Sequence, residues 1–401
     1  MFRKSILAVV ALAMASLGGV APADATQLNC GFQCSSWVPE VQLTATSDAT
    51  PLVGDFDGDD VDDVFWYGRG SAPDAVWFSH KLGLEESPAE SFATVPKTVS
   101  GNYDPFVGDF NGDGNDDIFW YAPGAASDSV WYFNSNRTVV SVPQTVSGSY
   151  RPTVGNFDLA DVSNDTEQDD IFWYGGSSSR SSLWSGNTNR TFSARTYVTS
   201  PPVGARVLTG EFVASEGDAP ASPDLFFYVP GDGADARWVS DGEGGFVRTD
   251  RTVNGNYRPI VGDFDFQSGL TDILWFGPGD GRDWLYINNG DGFTATAITI
   301  TGNAYPSVVR ADPATGQDRI LWNNPLGADS IWTPSSPAGT DFVRRTVTDM
   351  GGRHPVTGDF VRHENDKPTV EREVLWYAEG NAGGQNEVIW VNPGGPWGPL
   401  G

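Results

Sequence analysis

One short phrase recurs along this chain and constrains its fold more than any other feature. Its clearest copy, Pro-Phe-Val-Gly-Asp-Phe, occupies residues 105–110. The other copies lie at 51–56, 152–157, 206–212, 259–264, 306–313 and 355–360. Each is followed by a polar loop, an apolar run rich in aromatic residues, a glycine-rich turn and a second tryptophan. The chain therefore contains seven copies of one unit of about 50 residues, the signature of a repeat architecture.

Each unit has the composition of short β-strands joined by tight turns. The apolar runs, such as Ile-Phe-Trp-Tyr at 118–121, are continuous rather than alternating, as expected for a strand covered on both faces. The 48 Gly and 27 Pro residues argue against a helical bundle. Four short strands and their turns need about 50 residues, which is one blade of a propeller. The sequence therefore predicts an all-β fold, a seven-bladed β-propeller over residues 38–401.

The two ends of the repeat predict how the ring closes. Interior units have a fourth strand after the second tryptophan, but the seventh unit shows none after residues 390–392. A segment of the missing kind precedes the first unit, at 38–44. We therefore expect the N-terminal strand to complete the last blade, because closure removes exposed sheet edges.

The tryptophans follow the repeat. Thirteen of the 15 Trp residues fall at two positions that recur in every unit, and only Trp37 and Trp397 lie outside them. A large apolar residue that recurs with the repeat is first a packing signal. We therefore assign these tryptophans to the core rather than to a ligand site.

Two polar loops are candidate metal sites. In residues 55–63 and 109–117, oxygen side chains stand at positions one, three, five and nine, and Gly stands at position four. Ca²⁺ binds six to eight hard oxygen ligands, and position seven can add a backbone carbonyl. The loops are predicted to bind Ca²⁺ rather than Mg²⁺, which demands stricter octahedral geometry. The candidate ligands are Asp55, Asp57, Asp59, Val61 and Asp63 in the first unit, and Asp109, Asn111, Asp113, Asn115 and Asp117 in the second.

The same pattern is weaker elsewhere. The fifth unit retains Asp263, Asp265 and Asp272, but its loop is one residue longer. The third unit has an insertion, and the fourth, sixth and seventh units have lost the pattern. The alternative reading of any such loop is an acidic, solvated turn without metal.

These loops carry a family resemblance. The segment 108–118, Gly-Asp-Phe-Asn-Gly-Asp-Gly-Asn-Asp-Asp-Ile, and the segment 288–293, Asn-Asn-Gly-Asp-Gly-Phe, resemble the FG-GAP or VCBS repeat family. The chain is also similar to integrin α-subunit propellers and to seven-bladed fungal lectins. The resemblance implies a calcium-bearing propeller that binds glycans or proteins, and it identifies no ligand.

The opposite end of the predicted ring carries candidate ligand-binding residues. Because successive strands are antiparallel, the second-to-third and fourth-to-first turns share this end. The candidates there are Tyr103, Tyr150, Tyr257, Tyr305, Arg282 and Asp283. Aromatic rings beside polar groups suit the binding of sugars. The alternative is that each repeated Tyr packs a blade corner, with its hydroxyl bonded to the backbone.

The N-terminus and the charge predict a secreted protein. Residues 1–25 have the charged start, apolar run and small-residue cleavage site of a secretory signal. Cys30 and Cys34, in the following segment 26–37, are the only cysteines of the chain, and in an oxidising compartment we expect them to pair. The alternative is two free thiols. A net charge of −28 argues against nucleic acid or anionic lipid as partners, and no transmembrane segment is expected.

Three function classes remain open. The first expectation is a secreted, lectin-like module that binds an extracellular glycan. The alternatives are a protein-binding scaffold and a polysaccharide-degrading lyase or hydrolase. The three histidines belong to no recognisable triad, and no nucleophile elbow or phosphate loop appears. We therefore expect no enzyme, although a pair of carboxylates would leave no sequence motif.

Overall fold

The computed structural model describes nineteen stretches of the chain. They are 38–43, 49–79, 92–124, 126–159, 168–176, 180–197, 200–214, 222–265, 269–279, 281–290, 292–300, 302, 304–309, 317–324, 328–336, 338–346, 354–360, 373–377 and 387–391. The predicted signal segment and the predicted Cys30–Cys34 disulfide lie outside the described residues. Within those residues, no helix has the length and hydrophobicity needed to cross a bilayer.

The described chain is an all-β propeller whose blades are four-stranded antiparallel sheets. Six blades use strands that follow one another in the sequence. Blade 1 contains β2 (Ala49–Gly54), β3 (Asp63–Gly68), β4 (Asp74–Phe78) and β5 (Ala93–Lys97). Blade 2 contains β6 (Phe106–Gly108), β7 (Asp117–Trp120), β8 (Asp128–Phe133) and β9 (Val139–Gln144). Blade 3 contains β10 (Arg151–Gly155), β11 (Asp170–Tyr174), β12 (Ser182–Asn187) and β13 (Thr191–Thr196).

The next three blades repeat this order. Blade 4 contains β14 (Arg206–Gly210), β15 (Asp224–Tyr228), β16 (Asp235–Ser240) and β17 (Phe246–Arg251). Blade 5 contains β18 (Arg258–Gly262), β19 (Asp272–Phe276), β20 (Asp283–Asn288) and β21 (Phe293–Ile298). Blade 6 contains β22 (Tyr305–Val309), β23 (Arg319–Asn323), β24 (Ser330–Pro334) and β25 (Phe342–Thr346).

The last unit forms a sheet with a different chain order. It contains β26 (His354–Gly358), β27 (Glu373–Tyr377) and β28 (Glu387–Val391), and β1 (Val38–Leu43) pairs antiparallel with β28. The side chains of β1 and β28 lie outside the described residues. Six complete blades are therefore established, where the sequence predicts seven, and the closing strand stays a prediction.

The first strand of each unit is the innermost one and contacts the first strand of the next. The contacts run through β2, β6, β10, β14, β18 and β22 to β26, and β26 contacts β2. The fourth strands of blades 1 to 4 contain only half-buried and exposed residues, and β5 alternates strictly between the two, because one side of these strands faces solvent.

The core lies between the blades and is largely aromatic. The second strands β3, β7, β11, β15 and β19 are buried along their whole length. This explains their continuous apolar sequence. Trp66, Trp120 and Trp173 are each 1% exposed, and each packs edge-on against the second tryptophan of its own blade, at 4.9, 5.3 and 5.4 Å between ring centroids. The prediction that the repeated tryptophans form the core is confirmed for these three.

Candidate functional site

The first-to-second loops of blades 1 and 2 share one conformation, wound around their first aspartate. The Asp55 carboxylate accepts hydrogen bonds from the N–H groups three, four and five residues later, at 2.7, 3.1 and 2.7 Å. Asp109 accepts the three matching bonds at 2.7, 3.2 and 2.8 Å. At the sixth position, Asp60 and Gly114 have φ angles of 64° and 82°, a conformation that favours Gly. Calcium loops of the EF-hand type also place a glycine at the sixth position, for the sharp turn.

Carboxylate oxygens converge in two of the loops. Each of two groups of three aspartates brings one oxygen per residue to within 4.8 Å of the others: Asp55, Asp57 and Asp59 in blade 1, and Asp263, Asp265 and Asp272 in blade 5. The sequence ranks the fifth unit below the first two, yet its longer loop still gathers three carboxylates.

In the loop of blade 2, the Asp113 carboxylate accepts hydrogen bonds from two asparagine side chains of the same loop. Asn111 and Asn115 donate through Nδ2 to Asp113, at 2.9 and 2.7 Å. The Asn115 side-chain oxygen also accepts from Ser135 at 3.0 Å.

In blade 1, Val61 is fully buried, and its N–H donates to Asp59 at 3.0 Å.

Two arginines from neighbouring hairpins reach these loops, and the sequence predicted neither contact. Arg137 donates through Nε to Asp57 Oδ2 at 2.7 Å, which joins blade 2 to the loop of blade 1. Arg190 of blade 3 lies 3.9 Å from an oxygen of Asp113 in blade 2. Both have left-handed φ angles of 66° in their hairpins. The signal was present in the sequence, because Asn-x-Asn-Arg-Thr occurs at 134–138 and again at 187–191.

Asp57 is the residue whose environment best fits a cation. It is 6% exposed, and its second oxygen, Oδ1, is buried without a hydrogen-bond partner among the described residues. A buried carboxylate oxygen without a donor is costly. The chemistry of the donor set, hard carboxylate and amide oxygens, is that of a Ca²⁺ site.

The ninth-position aspartates anchor their loops to the blade. Asp63 accepts from the N–H groups of Phe56 and Ser79, at 2.9 and 2.7 Å. Burial, followed by repulsion from Asp57, raises the pKa of Asp63 to about 9. Asp224 accepts the corresponding bonds in blade 4, whose loop lacks the ligand pattern. An aspartate at this position therefore has a packing role whether or not a metal binds.

Asp117 and Asp272, the last predicted ligands of the loops in blades 2 and 5, behave in the same way. Asp117 accepts from Phe133 N at 3.0 Å, and its pKa is raised to about 9, chiefly by burial. Asp272 accepts from the N–H groups of Phe264 and Asn288, both at 2.7 Å, and burial raises its pKa to about 7.

The residue just before the second strand connects five of the described loops to the preceding blade. Asp116 donates through its N–H to Asp55 O at 2.7 Å, and its carboxylate accepts from Asp55 N at 2.9 Å. We call this reciprocal pair a latch. The latches are Asp116 with Asp55, Asp169 with Asp109, Thr271 with Glu211, Asp318 with Asp263 and Asp62 with Asp359. Burial and the nearby carboxylates of Asp169 and Asp62 raise the pKa of Asp116 to about 7.

At the opposite end, which we call the tyrosine end, three of the four predicted tyrosines pack blade corners. The N–H groups of Tyr103, Tyr150 and Tyr257 donate to a buried tyrosine of the preceding blade, at 2.9, 2.8 and 2.7 Å. Their half-buried rings lie edge-on to a core tryptophan, with centroids 5.8, 5.9 and 5.9 Å apart. The geometry matches the packing alternative. Tyr305 differs, since it is 53% exposed.

The structure separates the last two predicted ligand residues. Arg282 is exposed, with its guanidinium carbon 5.7 Å from the Trp284 ring centroid. Asp283 has no exposed surface, and its carboxylate accepts from the N–H groups of Gly277 and Ile300, at 2.8 and 2.7 Å. Asp283 therefore holds two turns of the fold and offers no exposed surface to a ligand.

Comparison with known proteins supports the fold and one repeat. The FG-GAP repeat family matches residues 102–134, which hold the loop of blade 2. No curated protein sequence matches the chain. An Agrocybe aegerita lectin, whose structure concerns recognition of non-reducing terminal N-acetylglucosamine, is 15% identical with a TM-score of 0.58, covering 77% of this chain and 83% of that one.

Two further solved structures are similar over most of this chain. BBS1N in complex with ARL6DN is 9% identical, with a TM-score of 0.51 and coverage of 91% of this chain and 99% of that one. The BP39L lectin from Burkholderia pseudomallei is 13% identical, with a TM-score of 0.50 and coverage of 87% and 99%. At these identities the similarity establishes the propeller fold alone.

Proposed function

We propose that this chain is a secreted, calcium-stabilised propeller that binds glycans through the tyrosine end. Export is supported by the character of residues 1–25, and fractionation of the source cells is the direct test. Recovery of the intact chain, signal included, from the cell interior would contradict it.

Calcium binding is carried by one observation, the buried and unpartnered Oδ1 of Asp57 beside two further converging carboxylates. Repulsion among unit charges about 4 Å apart costs about 1 kcal/mol in water and more when the charges are partly buried. A dication bound to Asp55, Asp57 and Asp59 removes that repulsion. The loops of blades 2 and 5 are proposed as further sites, with Asp109 and Asp263 as their first ligands.

Calorimetric titration of Ca²⁺ into chelator-treated protein tests this part. We expect saturable binding and a rise in melting temperature, because a ligand that binds only the folded state stabilises that state. Asp57→Asn is expected to weaken binding in blade 1, whereas Asp232→Asn, at an exposed aspartate of the tyrosine end, serves as the matched control. An unchanged melting temperature and no binding heat would overturn the proposal.

We further propose that the ring has seven blades and that β1 closes the last one. Two observations support this. β26 contacts both β22 and β2, and Asp359 and Asp62 form the same latch, at 2.7 Å in both directions, that joins blade 1 to blade 2. Deletion of residues 26–43 is expected to destabilise the protein strongly, since it exposes the edge of β28. A deletion variant with unchanged melting temperature would contradict closure by β1.

Glycan binding is supported by the shared fold of this chain and two lectins, one of which recognises terminal N-acetylglucosamine. The propeller of the Agrocybe lectin aligns with 77% of this chain. Aromatic and polar side chains meet at the tyrosine end, where Tyr305 is exposed. Such surfaces stack on sugar rings and hydrogen-bond hydroxyl groups.

A glycan array run with the full-length protein is the test. We expect binding to a restricted set of glycans, reduced by chelator if calcium orders the loops. Tyr305→Ala is expected to lower the signal, and Val247→Ala on the outer strand β17 is the control for a change at an exposed apolar residue. Binding to no glycan would overturn the lectin reading, and release of new sugar ends would show that the protein is an enzyme.

Protein binding is the second candidate, favoured by the similarity to BBS1N, a propeller solved in complex with another protein. If this second candidate is right, the protein binds no glycan on the array but binds a protein partner through the tyrosine end. Cross-linking from an introduced cysteine at position 305 in the native extracellular material distinguishes the two outcomes.

A further inference from the structure

Three arginines stand in a row around the propeller axis at the tyrosine end. Arg151, Arg206 and Arg258 are the first residues of β10, β14 and β18, the innermost strands of blades 3, 4 and 5. These strands contact one another in sequence, so the three residues occupy equivalent positions in neighbouring blades. We call the three residues the arginine arc.

Each arginine reaches toward the equivalent position of the next blade. Arg151 Nη1 donates to the carbonyl of Ala205, the residue before Arg206, at 3.1 Å. Arg206 Nη1 donates to the carbonyl of Tyr257, the residue before Arg258, at 3.3 Å. The Arg258 guanidinium carbon lies 5.0 Å from the ring centroid of Tyr305, at the start of β22. The arc is therefore continuous over three blades and ends on an exposed aromatic ring.

The arc carries positive charge that the described residues do not neutralise. A guanidinium has five N–H donors. Arg151 and Arg206 each donate to one backbone carbonyl, and Arg258 contacts one aromatic ring. Within the described part of the chain, no carboxylate lies within 4.0 Å of any of them. The equivalent residue of blade 2 is acidic, but Asp104 is already paired with Arg69 at 2.9 Å.

The exposure of the arc leaves these donors available. Arg151 and Arg206 are exposed, and Arg258 is half-buried. Tyr150 and Tyr257, whose rings are half-buried, immediately precede two of the arginines. Planar guanidinium groups bind carboxylate, sulfate and phosphate oxygens in pairs, and aromatic rings beside them stack on sugar faces.

We propose that the arginine arc binds the carboxylate or sulfate groups of an anionic polysaccharide. Several cations at repeated intervals fit a chain with several anionic groups better than they fit a single anion. The net charge of −28 repels such a chain from most of the surface, but at physiological salt that repulsion is screened beyond about 8 Å. The short-range contacts with the arc therefore decide where a polyanion binds. This inference rests on the proposed glycan-binding function and specifies its ligand class.

Biolayer interferometry with the full-length protein tests the arc. The immobilised probes are polygalacturonate for carboxylates, dextran sulfate for sulfates, neutral dextran, and single-stranded oligo-dT as a polyanion without that sugar chemistry. We expect binding to one of the two anionic polysaccharides, weakening as salt rises, with little binding to neutral dextran or oligo-dT. The probe that binds tells carboxylate from sulfate.

The variants separate the arc from overall charge. R151Q/R206Q/R258Q is expected to lose at least about tenfold in affinity, because three charge-assisted contacts are removed. R195Q/R248Q/R251Q removes the same charge from the outer strands β13 and β17 and is expected to change affinity by less than about threefold. R151K/R206K/R258K keeps the positive charge but loses the planar guanidinium that binds two oxygens at once, and its affinity is expected to be intermediate.

Equal affinity of the arc variant and the wild type for the anionic probe would overturn the inference, and so would equally tight binding of oligo-dT. Melting temperatures of all variants check folding, and exposed arginines are expected to tolerate the change. If the arc variant still binds neutral glycans on the array and no anionic probe binds the wild type, the proposed glycan function stands and the arc assignment fails. If the wild type binds no glycan of any kind, both fail.

Discussion

The two ends of this propeller use the same residue type for the same task, with different results. At the tyrosine end, Asp74, Asp128 and Asp235 each hold two turns, one backbone N–H on each carboxylate oxygen, at 2.6 to 2.8 Å. At the loop end, where the first-to-second loops lie, Asp63 also accepts two backbone N–H groups, but it faces the further carboxylates of Asp57 and Asp55.

The two ends differ in how many carboxylates lie close together relative to the backbone N–H groups that bind them. Burial raises the pKa of Asp74 and Asp235, and no neighbouring carboxylate adds to the shift. At the loop end, burial acts together with repulsion from other acids on Asp63 and Asp116. An acidic repeat position can therefore be purely structural, and the proposed cation sites rest on the surplus of acid at the loop end rather than on the repeated aspartate itself.

The largest expected effect that tests this contrast is the pH dependence of metal-free stability. The pKa values of Asp63 and Asp117 are raised from 3.8 to about 9, and that of Asp116 to about 7. Between these values the unfolded chain binds fewer protons than the folded one, so stability falls as pH rises. We expect the melting temperature in chelator to decrease from about pH 4 to about pH 9, and to decrease less with Ca²⁺ present. A melting temperature independent of calcium at pH 8 would contradict this.

The next largest effect is expected on the free energy of unfolding, when an aspartate that binds two backbone N–H groups at the tyrosine end is removed. Asp128 is 2% exposed, and its oxygens accept from Ala122 N and Val146 N, both at 2.8 Å. Asp128→Ala leaves two buried donors unsatisfied and is expected to cost about 3 kcal/mol. Urea unfolding measures this, with Asp232→Ala as the exposed control at the same end. Calcium is expected to leave the difference unchanged, and a loss rescued by calcium would break the contrast between the ends.

A smaller loss is expected from Tyr121→Phe. The hydroxyl donates to Gly148 O at 3.0 Å and accepts from Tyr150 N at 2.8 Å, so it ties blade 2 to the connection that leads into blade 3. Its removal is expected to cost about 1–2 kcal/mol of unfolding free energy. Tyr305→Phe, at an exposed ring, is the matched control. Equal stability of the two variants would show that the hydroxyl bridge does not stabilise the corner.

The smallest effect is also the most specific to the loop end. Asp57→Asn keeps an oxygen for Arg137 and removes one surplus charge. In chelator we expect a gain of up to about 1 kcal/mol, and in saturating calcium a loss of similar size, because the ligand is weakened. Thermal unfolding in both buffers shows whether the sign changes. The same sign in both would mean that Asp57 acts on the fold alone.

Much of the architecture could be predicted from the sequence because the residues that repeat are the ones that pack in the core. The continuous apolar runs predict strands covered on both faces, and β7 and β11 are buried along their length. The recurring tryptophans predict a core, and Trp120 and Trp173 lie in it. By contrast, the sequence did not predict that Asp283 holds two turns, because the backbone donors around it are known only from the tertiary structure.

The repeat, read along the chain, determined the fold class, the length of each blade and the position of the acidic loops, because those depend on local periodicity. Which loop oxygens converge, that Arg137 crosses to Asp57, and that three arginines align around the axis were decided only by the tertiary structure. The physical reason is that the arginine contacts join residues of different blades, between 51 and 80 positions apart, and no local pattern encodes such distances. Convergence of oxygens within one loop depends on how the loop backbone winds around its first aspartate, which the order of the residues does not specify.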